Sequence, residues 1–305
     1  NSANEMGDNL PEITLGQTIL QIAVGDSAAC AVLVDGSLKC WGSGSSGQLG
    51  QGSTSSISES QRMLIPPIDL GGRRARKVAA GMAHMCAILE DSSMVCWGDG
   101  SRGQLGHGRT DNIGDEPGEM GVNLPLVDVG TGRSVLDLSL NGYHTCALLD
   151  DFSTKCWGDT TDYSIIYGDA PNEMGDHLPV VNLGTNRSAR QITAGIWHRC
   201  AMLDDCSVKC WGQAAYGRLG YGDQVQRWDD NPSRMGDNLP TVDITLSTPG
   251  TCLDLLPAYP SSTTTTSSIT MPTSTRTSSS TASSTRTSSS TASSSTLLLP
   301  VLSGQ

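Results

Sequence analysis

Nowhere does this 305-residue chain carry the 3.6-residue apolar period of a long amphipathic helix. Short apolar runs and 35 glycines take its place, which argues against a helical bundle and for an all-β chain. A basic excess is missing too. Lys and Arg number 19 against 31 Asp and Glu, for a net charge of −12. Binding to a phosphate backbone needs a basic face, so no nucleic-acid partner is expected. The last acidic residue is Asp254, which places the acidity in the body of the chain. No stretch approaches the roughly 18–20 apolar residues that span a membrane. A secretory leader is not visible and the first residue is Asn1, so a processed or partial chain is expected.

What the chain does have is a phrase repeated four times, at Cys30–Gly42, Cys86–Gly98, Cys146–Gly158 and Cys200–Gly212. The copies recur every 54 to 60 residues. A period of that length marks propeller blades or a stacked array. Within each copy the second cysteine follows the first by ten residues and brackets a tight turn such as Val34-Asp35-Gly36-Ser37. A hairpin centred there sets the two cysteines opposite each other across the strands, within disulfide reach. The spacing predicts the pairs Cys30–Cys40, Cys86–Cys96, Cys146–Cys156 and Cys200–Cys210. Zinc sites favour closer spacing, and no metal is expected. Cys206 and Cys252 are left over; pairing them is the simplest assignment, with an intermolecular bond as the alternative. Such a framework implies an oxidising, extracellular or cell-surface setting.

Each unit reads as four parts. A Gly-, Asp- and Pro-rich phrase comes first, at Glu5–Pro11, Glu119–Pro125, Glu173–Pro179 and Arg234–Pro240, and reads as loop. A short apolar strand, the bracketed hairpin and a glycine-rich segment such as Trp41–Gly52, Trp97–Gly108 or Trp211–Gly222 follow. Several short strands per repeat fit a four-stranded blade. The combination Ala194–Ala201, Asp204–Gly212 and Gly217–Gly222 resembles the RCC1-type repeat of the regulator of chromosome condensation and of secreted β-lactamase-inhibitor propellers. The cysteine-bearing form is similar to the extracellular members. The resemblance covers residues 5 to about 257 and implies β-propeller blades. It does not imply nucleotide exchange, which belongs to nuclear members and suits an acidic, disulfide-rich chain poorly.

Three departures stand out. The third copy reads Tyr163–Gly168 where the others have Gly-Gln/Arg-Leu-Gly, and the first has Ala28 where His84, His144 and His198 stand. There are four full copies, then a fragment of a fifth, Leu239–Pro257, whereas the family's ring has seven blades. The repeat region, residues 1–257, is therefore expected to stay open or to be completed by a partner. Open edges need covering, and head-to-tail pairing of unlike surfaces builds rings or filaments.

Residues 258–305 form a second region, non-globular and almost wholly Ser and Thr in Ser261–Thr296. It reads as an O-glycosylated stalk, with Thr263, Thr264, Thr265, Thr266, Thr275, Thr277, Ser278, Thr281, Thr285, Thr287, Ser288 and Thr291 as candidate sites. Asn186-Arg187-Ser188 is the N-glycosylation sequon; Pro232 excludes Asn231.

The chemistry-bearing residues fall within the repeat. Gly42-x-Gly44-x-x-Gly47 and Gly98-x-Gly100-x-x-Gly103 match a dinucleotide fingerprint in letters, but a turn follows where a helix is required, so no cofactor is expected. His84, His144 and His198 read as histidines hydrogen-bonded within their own blades. Asp169, Glu173 and Asp176 read as solvated turn residues before calcium ligands. Trp41, Trp97, Trp157 and Trp211 read as core between blades, with Trp197 and Trp228 as candidate contact residues. No catalytic set stands apart from the repeats, so an enzyme is not expected. The leading expectation is an extracellular structural glycoprotein, the protomer of a head-to-tail surface filament or wall layer, joined through open blade edges and the tail. The alternative is a secreted binding module, such as an inhibitor, lectin or adhesin, that uses propeller loops.

Overall fold

A computed structural model describes residues 12–58, 65–159, 166–229 and 231–243. They lie in the first of two compact units, Asn1–Ser262; the second, Thr263–Gln305, lies outside the described residues, and with it the O-glycosylation sites. The fold is all-β. Its strands are β1 (Ile19–Val24), β2 (Ala28–Leu33), β3 (Leu38–Gly42), β4 (Ala75–Ala80), β5 (His84–Leu89) and β6 (Met94–Gly98). They continue as β7 (Val135–Asn141), β8 (His144–Leu149), β9 (Thr154–Gly158), β10 (Ala189–Gly195), β11 (His198–Leu203) and β12 (Val208–Gly212). Each consecutive trio forms one three-stranded antiparallel sheet, so one repeat is one blade. The first strand carries a register shift at the same place in all four blades.

The blades fall short of the four full strands expected. Beyond the third strand, a fourth segment holds on by a repeated backbone bond: Ile68 N–H to Leu38 O, Val127 to Met94, Val181 to Thr154 and Val242 to Val208, at 2.7–2.9 Å. Pro67, Pro125, Pro179 and Pro240 lie one or two residues before these donors. Proline removes a ladder donor, so the segment cannot zip up as a strand. Two consequences revise the sequence reading. The phrase Met-Gly-x-x-Leu-Pro closes a blade rather than opening one. And Leu239–Asp243, assigned to a fifth repeat, completes the fourth; the remainder of that fragment lies outside the described residues.

Successive blades pack side by side, β4 on β1 and β2, β7 on β4 and β5, β10 on β7 and β8. The core lies between them. Trp97, Trp157 and Trp211 are fully buried there, and truncating such a residue costs about 3–5 kcal/mol.

Candidate binding surfaces

At one end of each blade sits the hairpin turn. Gly36 N–H donates to Leu33 O and Leu33 N–H to Ser37 O, both at 2.9 Å, the pattern of a three-residue loop ending in a left-handed residue. Glycine fills that position once, as Gly36 with φ +78°; Ser92, Phe152 and Cys206 hold it in the other blades at φ 67°, 63° and 69°. Asp35 steadies the turn by accepting from the Ser37 amide at 2.9 Å and hydroxyl at 2.6 Å. Ser93, Ser153 and Ser207 repeat this on Asp91, Asp151 and Asp205. The Ser37 hydroxyl and amide, with Gln17, hold the Asp35 carboxyl down at about 2.

Behind the turns lie the disulfides. Cys30–Cys40, Cys86–Cys96, Cys146–Cys156 and Cys200–Cys210 are bonded, each with Cα atoms 4.1 Å apart, and each couples residues directly paired in the strand register. Cys206 is also disulfide-bonded, while Cys252 lies outside the described residues. None of the described thiols is free to act as a nucleophile.

The joints between blades are polar as well as apolar. The His84 ring lies where a Cβ on Gly81 would be, 2.1 Å from the ring, which explains the glycine three residues before it. Its Nε2 shares a 3.0 Å hydrogen bond with Thr145 Oγ1, and Thr145 donates onward to Gln104 O at 2.9 Å. Thr145 belongs to the next blade, so this histidine bonds across a joint and not within its blade. Burial pushes His84 down to about 4, against the pull of Asp99. His144 is likewise held well below the usual histidine range by burial and by Arg199. Other groups repeat across joints. Trp97 Nε1 donates to Gln48 O and Trp157 Nε1 to Gln104 O, both at 3.1 Å. Trp211 Nε1 is buried and has no partner among the described residues; the third copy, which departs from Gly-Gln-Leu-Gly in sequence, is the neighbour at this joint. Gln21 clamps the next blade, donating to Val78 O and accepting from Val78 N–H at 2.7 Å. Lys77 pairs with Asp137 at the following joint.

The closing phrase is clamped from beneath. Lys155 Nζ donates to Val129 O and Gly175 O, and Lys209 Nζ to Leu183 O and Gly236 O. In the second blade Val95 replaces the lysine. There Arg73 reaches in and caps Leu70 O and Gly121 O, with Leu124 O as well. Acidic residues finish the clamp. Glu119 Oε2 accepts from the amides of Gly114, Asp115 and Glu116 at 2.8–3.1 Å. Glu173 accepts from Gly168 and Ala170, and Asp176 from Thr131. Glu173, read from sequence as solvated, thus spends an oxygen on its own loop, while Asp176 stays exposed and ties its loop to that of Thr131; burial beside Glu173 raises Asp169. Among the described residues no three His, Cys, Asp or Glu side chains converge as a metal site.

The surfaces that remain are few. A groove of about 750 Å³ involves the second and third blades and is lined by His107, Arg109, Asn123, Asp128, Asn172 and His177. Tyr216 stands 94 % exposed at φ +62° with Arg218 over its ring. Trp228, a candidate contact residue, is buried, and Trp197 is half-buried. Asn186 is exposed in a turn closed by Arg187 N–H to Gly184 O at 3.1 Å. The two glycine-rich fingerprints form successive tight turns, Gly47 N–H to Gly44 O and Gly50 N–H to Gly47 O. They serve packing: a Cβ on Gly47 would meet Asp115 N at 2.4 Å, and one on Gly103 would meet Asp169 N at 2.6 Å, both in the next blade.

A family model described as Regulator of chromosome condensation (RCC1) repeat matches residues 19–48 and 75–104, and a second of the same description matches residues 35–88. The ultraviolet-B receptor UVR8 of Arabidopsis thaliana is 28% identical over 231 residues, covering 75% of this chain and 49% of that protein. The mitochondrial RCC1 domain-containing protein RUG3 of the same plant is 29% identical, covering 70% of this chain and 46% of the relative. Among solved structures, Prp20p of Saccharomyces cerevisiae superposes with a TM-score of 0.55 at 18% identity, covering 77% of this chain and 52% of that one. Human WBSCR16 gives 0.55 at 18%, covering 76% and 54%. The chain thus spans about half the length of these relatives.

Proposed function

We propose that this chain, of which residues 19–104 match models of the RCC1 repeat, works outside the cell as a non-enzymatic scaffold that acts by binding. Propeller blades of this kind suit a binding module generally. The observation that carries the extracellular reading is the disulfide placed identically in every described blade. A reducing cytosol keeps such bonds open. Modification fits the same setting. Asn186 is exposed on a turn, as an N-glycan acceptor must be, and the Ser/Thr-rich tail, outside the described residues, is proposed as the O-glycosylated stalk. A structural role, with copies joined into a surface filament, is the narrower form of this reading. The face of the first blade that no described residue covers favours it.

The test is topological. Intact native cells or their medium are treated with a membrane-impermeant amine label, and the protein is recovered and weighed before and after glycan release. Labelling without lysis, with carbohydrate released from Asn186, is expected. A protein labelled only after lysis, and carrying no carbohydrate, would overturn the extracellular reading.

A further inference from the structure

Both ends of the described array carry one half of the joint that its blades make with each other. On β1, Leu20, Ile22 and Val24 are 62%, 60% and 71% exposed. The residues equivalent to Ile22 in later blades, Val78, Leu138 and Ile192, are 1%, 5% and 6% exposed, each beneath the blade before it. Trp41 is half-buried where Trp97, Trp157 and Trp211 are fully buried, and its indole N–H has no partner among the described residues. Among the described residues, then, nothing covers the socket face that the first blade presents.

At the fourth blade the opposite half is open. Gln191 holds the position of Gln21, which clamps Val78 from two sides; the Gln191 side chain is exposed and makes no hydrogen bond among the described residues. Arg218 holds the position of Gln48 and Gln104, whose carbonyls receive the tryptophan N–H. The packing glycines tell the same story. Gly47 and Gly103 lie against the next blade's loop, as do Gly52 and Gly108, whereas a Cβ on Gly217 or Gly222 would meet nothing within 4 Å. A Cβ on Gly50 would meet the next blade's Trp97 and Met120, but the nearest atoms to one on Gly220 belong to Val242 of its own blade.

We propose that these two faces join in a second copy of this chain: the fourth blade of one protomer packs on the first blade of the next, with Gln191 clamping the Ile22 backbone and the Arg218 carbonyl receiving the Trp41 indole. This deepens the scaffold reading and rests on it only for the setting. The argument for this occupant is continuity with an interface seen at three joints within the chain. A joint of unlike faces is heterologous, so copies add head to tail and close into a ring or extend.

The experiment is sedimentation of the full, oxidised chain across a range of concentrations, with two single variants. Ile22→Asp spoils the socket by placing a carboxylate on the face to be buried, and weakens association about 100-fold or more. Gln191→Ala spoils the clamp and weakens it about tenfold. Both positions are solvent-exposed, so neither change should disturb a protomer, and unchanged circular dichroism checks this. Association in the wild type, weakened in each variant, is expected. Mixing the two variants should restore one good joint and give discrete pairs, since each variant keeps the face the other lacks. A wild type that stays monomeric would overturn the proposal and leave the socket to a different protein or to another segment of this chain. Association indifferent to both variants, or variants that fail to complement on mixing, would overturn it equally. None of these outcomes bears on whether the protein is extracellular.

Discussion

Ser92, Phe152 and Cys206 sit in left-handed backbone that the first blade gives to Gly36. A non-glycine residue there costs about 1–3 kcal/mol. Ser92→Gly is therefore expected to raise stability by about 1 kcal/mol, read as a higher urea midpoint; a lower midpoint would contradict the strain. Phe152 is a poorer test, because Arg190 stacks 4.1 Å over its ring. Two residues set successive pH windows, both losing stability on acidification. Asp35 is held at about 2, below its ordinary 3.8, so its turn is fully stabilised above pH 3.8 and loses that support as pH falls through about 2. A carboxyl NMR titration of Asp35 with a midpoint near 3.8 would rule this out. His84 is neutral when buried, at about 4 against 6.5. Between those values the unfolded chain takes up a proton that the folded one refuses. Stability then falls as pH drops from 6.5 to 4, by roughly 3 kcal/mol from this group. His84→Gln should flatten part of that fall in urea midpoints taken at pH 7 and pH 4.5. An identical fall in the variant would show that His84 does not cause it.

The hairpin is the element on which each blade depends. Its disulfide closes a loop ten residues long, which stabilises by about 2.5–3 kcal/mol through the unfolded chain. Replacing both Cys86 and Cys96 with serine should lower the unfolding free energy by that amount, and a variant of unchanged stability would refute the assignment. This element was legible in the sequence because a fixed cysteine spacing around an Asp-x-Ser turn leaves little geometric freedom. The closing phrase was not. Its Gly, Asp and Pro content reads as loop in any context, and nothing in the letters shows that Lys155 and Lys209 reach back to its carbonyls, or that Arg73 replaces the lysine where Val95 stands. His84 was misplaced for a similar reason. From sequence it reads as bonded within its own blade, but the Thr145 hydroxyl that it meets comes from a residue 61 positions away. The fourth strand was overcounted because a repeat of this length with several short strands fits a four-stranded blade, whereas Pro125 and Pro179 remove ladder donors where a fourth strand would pair.

At the scale of the molecule, one joint is used three times and its two halves remain at the ends of the described array. The repeat period foretold the blades. The faces became visible only when equivalent residues could be compared for exposure, as with Ile22 against Val78, Leu138 and Ile192. The acidity of the chain adds a requirement on any partner, which must tolerate or complement a net charge of −12. All of this presupposes blades stapled in an oxidising compartment. The most direct measurement is a peptide map of the protein taken from its native source, alkylated before digestion and never reduced. The account predicts four linked peptide pairs, Cys30 with Cys40, Cys86 with Cys96, Cys146 with Cys156 and Cys200 with Cys210, and no alkylated cysteine among them. Alkylated thiols at these positions, or cysteines linked between different blades, would contradict it.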